Sequence, residues 1–177
     1  MRKLVPAAGV GVVLVLAGLA VAAVSADTYT YRSTLSARAE VPKPAAPARA
    51  AGGFTATVTK NGSARAIRWT LTFRNLSGKA VGAHIHRGLP GIAGPVMIAL
   101  CGPCRPGQTG RTAITRSAAD ALERGAAYVN VHTAKNAAGE IRGQVKLVRR
   151  GTAPSPQPEP EPEPEQPPGS TTPYPGY

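Results

Sequence analysis

Between Gly53 and Phe73 apolar and polar residues alternate with a period of two, and Asn61-Gly62 interrupts the run near its middle. In "ARAIRWTLTF" the side chains of Ile67, Trp69, Leu71 and Phe73 fall on one side and Arg68, Thr70, Thr72 and Arg74 on the other. That is the pattern of a strand with one face in a core and one in water. Asn-Gly between two such runs marks a hairpin, because a tight two-residue turn needs positive φ and these residues tolerate it. The stretches "TYTYRSTLSA", "VGAHIHRG", "PVMIALCG", "GRTAITR", "AYVNVHT" and "GEIRGQVKLV" read as further strands, with "NAAG" as the turn before the last. One short helix is expected in "SAADALERG", capped by Ser117, with Asp120 completing a capping box and Gly125 ending it. About eight short strands and one helix predict an all-β fold, an antiparallel β-sandwich or Ig-like barrel.

The two ends are built differently. Residues 1–26 open with Arg2 and Lys3, run apolar from Leu4 to Val24 and finish on Val24-Ser25-Ala26. This is the layout of a signal peptide cleaved before Asp27. Left uncleaved, about 20 apolar residues would form an N-terminal anchor, the one expected contact with a membrane. Both readings place the rest of the chain outside the cytoplasm, secreted or on the cell surface. Residues 151–177 carry Glu159, Glu161, Glu163 and Glu165 alternating with proline. Proline at that density removes backbone donors and fixes φ, so an extended, disordered tail is expected. Residues 27–150 between them have the length of a single domain.

Charge is concentrated in that domain. Of 21 basic and nine acidic residues in the chain, 19 basic and five acidic ones lie in residues 27–150, a net +14. A surface of this kind attracts polyanions, which makes anionic envelope polymers candidate partners beside an extracellular protein. Specific nucleic-acid recognition is not expected: no binding motif is present, aromatic residues are few, and the leader directs export.

The chain has only three histidines, and two of them stand at alternate positions in "AHIHRG". Residues i and i+2 of a strand share a face, so His84 and His86 project together, opposite Ile85. By the same rule Tyr128, Asn130 and His132 share one face of "YVNVHT", and Glu140, Arg142 and Gln144 share one face of "GEIRGQV". This pattern has two readings. His84, His86 and His132 could hold one copper or zinc ion through three imidazoles, with an open position and with Asn130 or Glu140 orienting a ring. Alternatively His84 and His86 with Asn130, Glu140 and Arg142 form a hydrogen-bonded network that ties three strands together. Copper/zinc superoxide dismutases share the general architecture, but their site needs more histidines than three.

Cys101 and Cys104 flank Gly102-Pro103. Outside the cell the thiols are expected to be oxidised to a structural disulfide, worth about 2 kcal/mol for so small a loop in the chain-entropy account. A soft-metal or redox use of C-x-x-C is the alternative. A serine nucleophile is not expected, since G-x-S-x-G is absent and acids are scarce; Glu40 reads as part of a proline-rich loop.

Taken together, "AHIHRG", the "GPV" after it, the helix ending at Gly125, "YVNVHT" and "GEIRGQV" resemble the CHRD domain, over almost all of Thr28 to Leu147. The C-x-x-C pair is similar to a variant of single-domain exported bacterial members. The resemblance implies an extracellular β-sandwich module and no particular chemistry. The expected function is a noncatalytic binding or structural protein of the cell envelope. The alternative is a small copper- or zinc-dependent metalloenzyme or metal carrier built on the histidines.

Overall fold

A computed structural model describes residues 25–153. The expected signal segment, up to Val24, and the Pro/Glu tail, from Pro154 on, lie outside the described residues. Nine strands are present: β1 (Ala26–Ser36), β2 (Ala51–Asn61), β3 (Ala64–Arg74), β4 (Ala80–Arg87), β5 (Val96–Cys101), β6 (Gln108–Ala113), β7 (Ala127–Thr133), β8 (Ile141–Gln144) and β9 (Lys146–Ala153). The helix α1 spans Arg116–Glu123 between β6 and β7.

All neighbouring strands are antiparallel, in the order β5-β4-β7-β8-β1-β2-β3-β6, with β9 also paired to β1. The sheet curls into a nearly closed barrel-like sandwich. Its two edge strands, β5 and β6, are consecutive in the chain, and the Cys101–Cys104 disulfide sits in the turn that joins them. The β2–β3 hairpin forms around Asn61-Gly62, with Gly62 at φ 55° and Asn61 opposite Ala64.

The expected alternation is realised in the core. Ile67, Trp69 and Leu71 of β3 are buried against Phe54, Ala56 and Val58 of β2, with Leu35, Ile85, Val129, Val131 and Ile141 completing the cluster. Each fully buried Leu, Ile or Phe contributes roughly 1.5–3 kcal/mol. Trp69 lies flat across Gly110 of β6, its register partner, where any Cβ would collide with the indole.

Three details differ from the sequence expectation. First, "GEIRGQVKLV" is two strands. Val145 is fully buried and donates its N–H to Ala127 O, and on either side of it the chain changes partner, β8 pairing mainly with β7 and β9 with β1. Second, β9 continues through Gly151–Ala153, so that Ala153 pairs with Ala26; the ladder with β1 satisfies those backbone groups. Third, the helix cap is Thr115, whose side chain accepts from Ala118 N, and not Ser117. Ser117 lies inside the first turn, and its hydroxyl accepts from Arg87 instead. Gly125, at φ 68°, ends the helix as expected.

Strands β4, β7 and β8 are largely buried on both faces, although Val81 is exposed and His84 and His132 are partly so. Their inner face joins the core. Their outer face, which carries the polar stripes, is covered by the β4–β5 loop (residues 88–95) and by the proline-rich segment before β2. Among the described residues no helix is long and apolar enough to cross a membrane.

Candidate metal centre

Strand order brings the three histidines together. β4 pairs with β7 so that His84 faces Asn130, His86 faces Tyr128 and Gly82 faces His132. His132 thus lies diagonally beside His84 on the outer face, and Gly82 supplies no side chain to separate them. One nitrogen from each ring falls within 4.8 Å of the other two. His84 and His132 are partly exposed, whereas His86 is buried.

Hydrogen bonds assign the tautomers. His86 Nδ1 lies 2.8 Å from Gly94 O, and His132 Nδ1 lies 2.9 Å from Ala137 O. A carbonyl only accepts, so each Nδ1 carries the proton and each Nε2 is left with a lone pair. His132 Nε2 is 3.0 Å from His84 Nδ1, which therefore donates to it. His86 Nε2 is buried and has no partner among the described residues. Rings held by an Nδ1–H···O=C bond, with Nε2 turned inward, are oriented as metal-bound histidines usually are. Burial, reinforced by the neighbouring imidazoles, holds the pKa of His84 and of His132 below the ordinary histidine value, although the Ala137 carbonyl partly opposes this at His132. Both rings therefore favour the neutral, ligating form. Metal–nitrogen bonds of about 2.0–2.1 Å set tetrahedral nitrogens roughly 3.4 Å apart, near the 3.0 Å that separates His84 Nδ1 from His132 Nε2.

The residues expected to join the histidines divide into two groups. Asn130 and Arg142 are register partners, and both extend the histidine row on the outer face. Asn130 Oδ1 has no partner among the described residues. Arg142 is 2 % exposed; it donates to Leu89 O and Ile92 O and lies over the Tyr128 ring, which itself stacks on His86 at 4.9 Å.

Glu140 belongs elsewhere. Its carboxylate accepts from Ser77 N, Ser77 Oγ, Thr133 Oγ1 and Asn136 Nδ2 at 2.5–2.9 Å, and it pairs with neither Arg142 nor the histidines. Glu140 precedes the first residue of β8 and comes after Gly139 at φ 134°, so the i, i+2 rule that would align it with Arg142 does not extend to it. Burial alone would raise its pKa, but the bonds from Ser77, Thr133 and Asn136 outweigh burial and hold it below the ordinary value.

The acid that does reach this row is Glu40, whose sequence setting reads as a proline-rich loop. It is 4 % exposed, and its Oε1 accepts from Val41 N while Oε2 is unpartnered among the described residues. Gly139 makes room for it: a Cβ there would collide with the Glu40 carboxyl and crowd the Asn130 amide. Burial raises the pKa of Glu40; the Val41 N–H, the Arg142 charge and the Asn130 amide offset only part of that rise. Its available signal was scarcity, as one of only five acids in a strongly basic domain.

Cys101 and Cys104 form a disulfide; Cys101 ends β5 as the register partner of the buried Ala83, the core-facing neighbour of His84. An apolar cavity of about 460 Å³ opens beside Cys104, Phe73 and Leu76 and has no histidine in its wall.

Neither a curated protein nor a solved structure matches the chain. The family model described as the CHRD domain matches residues 31–145, a span that includes His84, His86, Asn130, His132, both cysteines and β1 to β8 almost entirely. This chain belongs to the CHRD domain family.

Proposed function

We propose that the protein is an exported, noncatalytic binding module of the cell envelope that carries one copper or zinc ion on His84, His86 and His132. The observation that carries the metal reading is the buried, unpartnered Nε2 of His86, on a ring whose tautomer the Gly94 carbonyl sets. An unsatisfied buried acceptor costs on the order of 1–3 kcal/mol, and an ion shared with His132 Nε2 would relieve it. His84 would then lose its Nδ1 proton to the other ring nitrogen, exchanging the His84–His132 hydrogen bond for two metal bonds. Three imidazoles leave a fourth position for water or a ligand. Imidazole suits both copper and zinc, so the donor set does not choose between them. The disulfide fits an oxidising compartment, which agrees with the basic-then-apolar N-terminus and supports export.

The test is the metal stoichiometry and affinity of the purified full chain beside the His84→Ala/His86→Ala variant. One equivalent of copper or zinc, lost in the variant, is the expected result. A wild-type chain that takes up neither ion when titrated with each would end the metal reading and leave the imidazoles as strand ties. A catalytic use of the same centre would require a reacting ligand at the fourth position, so it fails by the same titration.

A further inference from the structure

The other half of the sheet presents an outer face of a different kind. In one row across it, Arg149, Thr30, Thr57, Arg68 and Arg111 are successive register partners on β9, β1, β2, β3 and β6. In the next row the partners are Lys146, Arg32, Thr55, Thr70 and Thr109. All ten side chains are exposed or half-exposed. No acid stands in either row, and among the described residues the ion pair present, Lys60–Glu123, involves neither. Arg68 and Arg111 are directly opposite each other, an arrangement of like charges that costs a sheet stability unless an anion lies between them. Where β8 and β9 part, a groove of about 340 Å³ opens on the same side, with Arg32, Thr34, Gln144, Lys146 and the exposed Val148 in its wall.

We infer that this face binds a linear anionic polysaccharide, independently of the metal reading. Five cations attract the chain, and guanidinium groups can hold carboxylate or sulfate through two parallel bonds. Threonine hydroxyls interleave with the charges at strand spacings of about 4.8 Å across and about 6.8 Å along the sheet, which suits a polymer alternating anionic groups with hydroxyls. A bare polyphosphate would need only the cations. Single-stranded nucleic acid is usually bound with aromatic stacking, and a membrane surface with inserted apolar side chains; neither row contains an aromatic or aliphatic side chain.

The test uses the full chain with polygalacturonate, against dextran, polyphosphate and anionic phospholipid vesicles at matched charge. Salt-sensitive binding to polygalacturonate and none to dextran is expected. Arg68→Gln/Arg111→Gln should weaken it about tenfold while leaving the melting temperature unchanged or raised. Arg105→Gln/Arg124→Gln, the same charge change outside both rows, should weaken it less than about threefold. Thr55→Val/Thr70→Val should weaken polygalacturonate binding and leave any polyphosphate binding alone. Equal losses from the two arginine pairs, insensitivity to the threonine pair, or tighter binding to polyphosphate or vesicles would each overturn the assignment.

Discussion

Two polar clusters lie close together in this sheet, and they are satisfied to very different degrees. Around Glu140 every group finds a partner: Ser77 and Thr133 donate to the carboxylate, Asn136 donates to it and to Ser77, and Ala45 N closes the set on Asn136 Oδ1. Around His86 the accounting stays open. His86 Nε2, Asn130 Oδ1, Glu40 Oε2 and Arg142 Nη1 are all buried without a partner among the described residues. A buried polar network that is complete holds strands and loops in place; one with several converging open valences has the character of a site. The acid most conspicuous in the motif belongs to the first cluster, and the acid hidden in a loop to the second.

The contrast can be broken most severely at Glu140. Glu140→Ala leaves several buried donors without an acceptor and should cost about 3 kcal/mol of stability, measured by denaturant unfolding, with metal affinity changed less than about threefold in protein still folded. A cost below about 0.5 kcal/mol would mean that this network does not tie the strands. Next comes His86→Ala, which should lower copper or zinc affinity at least about a hundredfold, equivalent to about 2.7 kcal/mol. It should cost no more than about 1.5 kcal/mol of stability, through the lost stack on Tyr128. Comparable destabilisation by both variants, with no difference in metal affinity, would erase the distinction between the clusters.

The smallest effect sharpens it through pH. The pKa of Glu140 is held below its ordinary value of 4.5, so the unfolded chain binds the proton more readily. The stability from Glu140 is complete above that value and is lost as pH falls through the native pKa. Glu40 has the opposite sign: its pKa is raised, the native state holds the proton longer, and its contribution is complete below 4.5 and lost as pH rises through the native pKa. Glu40→Gln should therefore remove a decline on the rising side and change stability at pH 7 by less than about 1 kcal/mol, while Glu140→Gln removes the acid-side loss. Unfolding free energies measured from pH 3 to 8 for both variants check this; identical pH profiles would contradict it.

Much of the fold was legible because it rests on local chemistry. Period-two alternation placed Ile67, Trp69 and Leu71 inside and Arg68 outside, and Asn61-Gly62 announced its hairpin. The split at Val145 was not legible, since a change of strand partner leaves the alternation almost undisturbed. Within the site, alternation put His84 and His86 on one face, but extending the same rule one residue beyond β8 misplaced Glu140.

From the sequence alone came the all-β class, the CHRD resemblance, the cysteine pair and the three imidazoles on polar stripes. These depend on near neighbours in the chain, where residue type and spacing dictate direction. Only the tertiary structure decided that β4 lies beside β7 although β5, β6 and α1 intervene in the chain. It also decided that the carbonyls of Gly94 and Ala137 set the tautomers, and that Glu40 is folded under its loop against Asn130 and Arg142. Those contacts join distant segments, and their partners are backbone groups or isolated side chains that leave no periodic trace in the sequence.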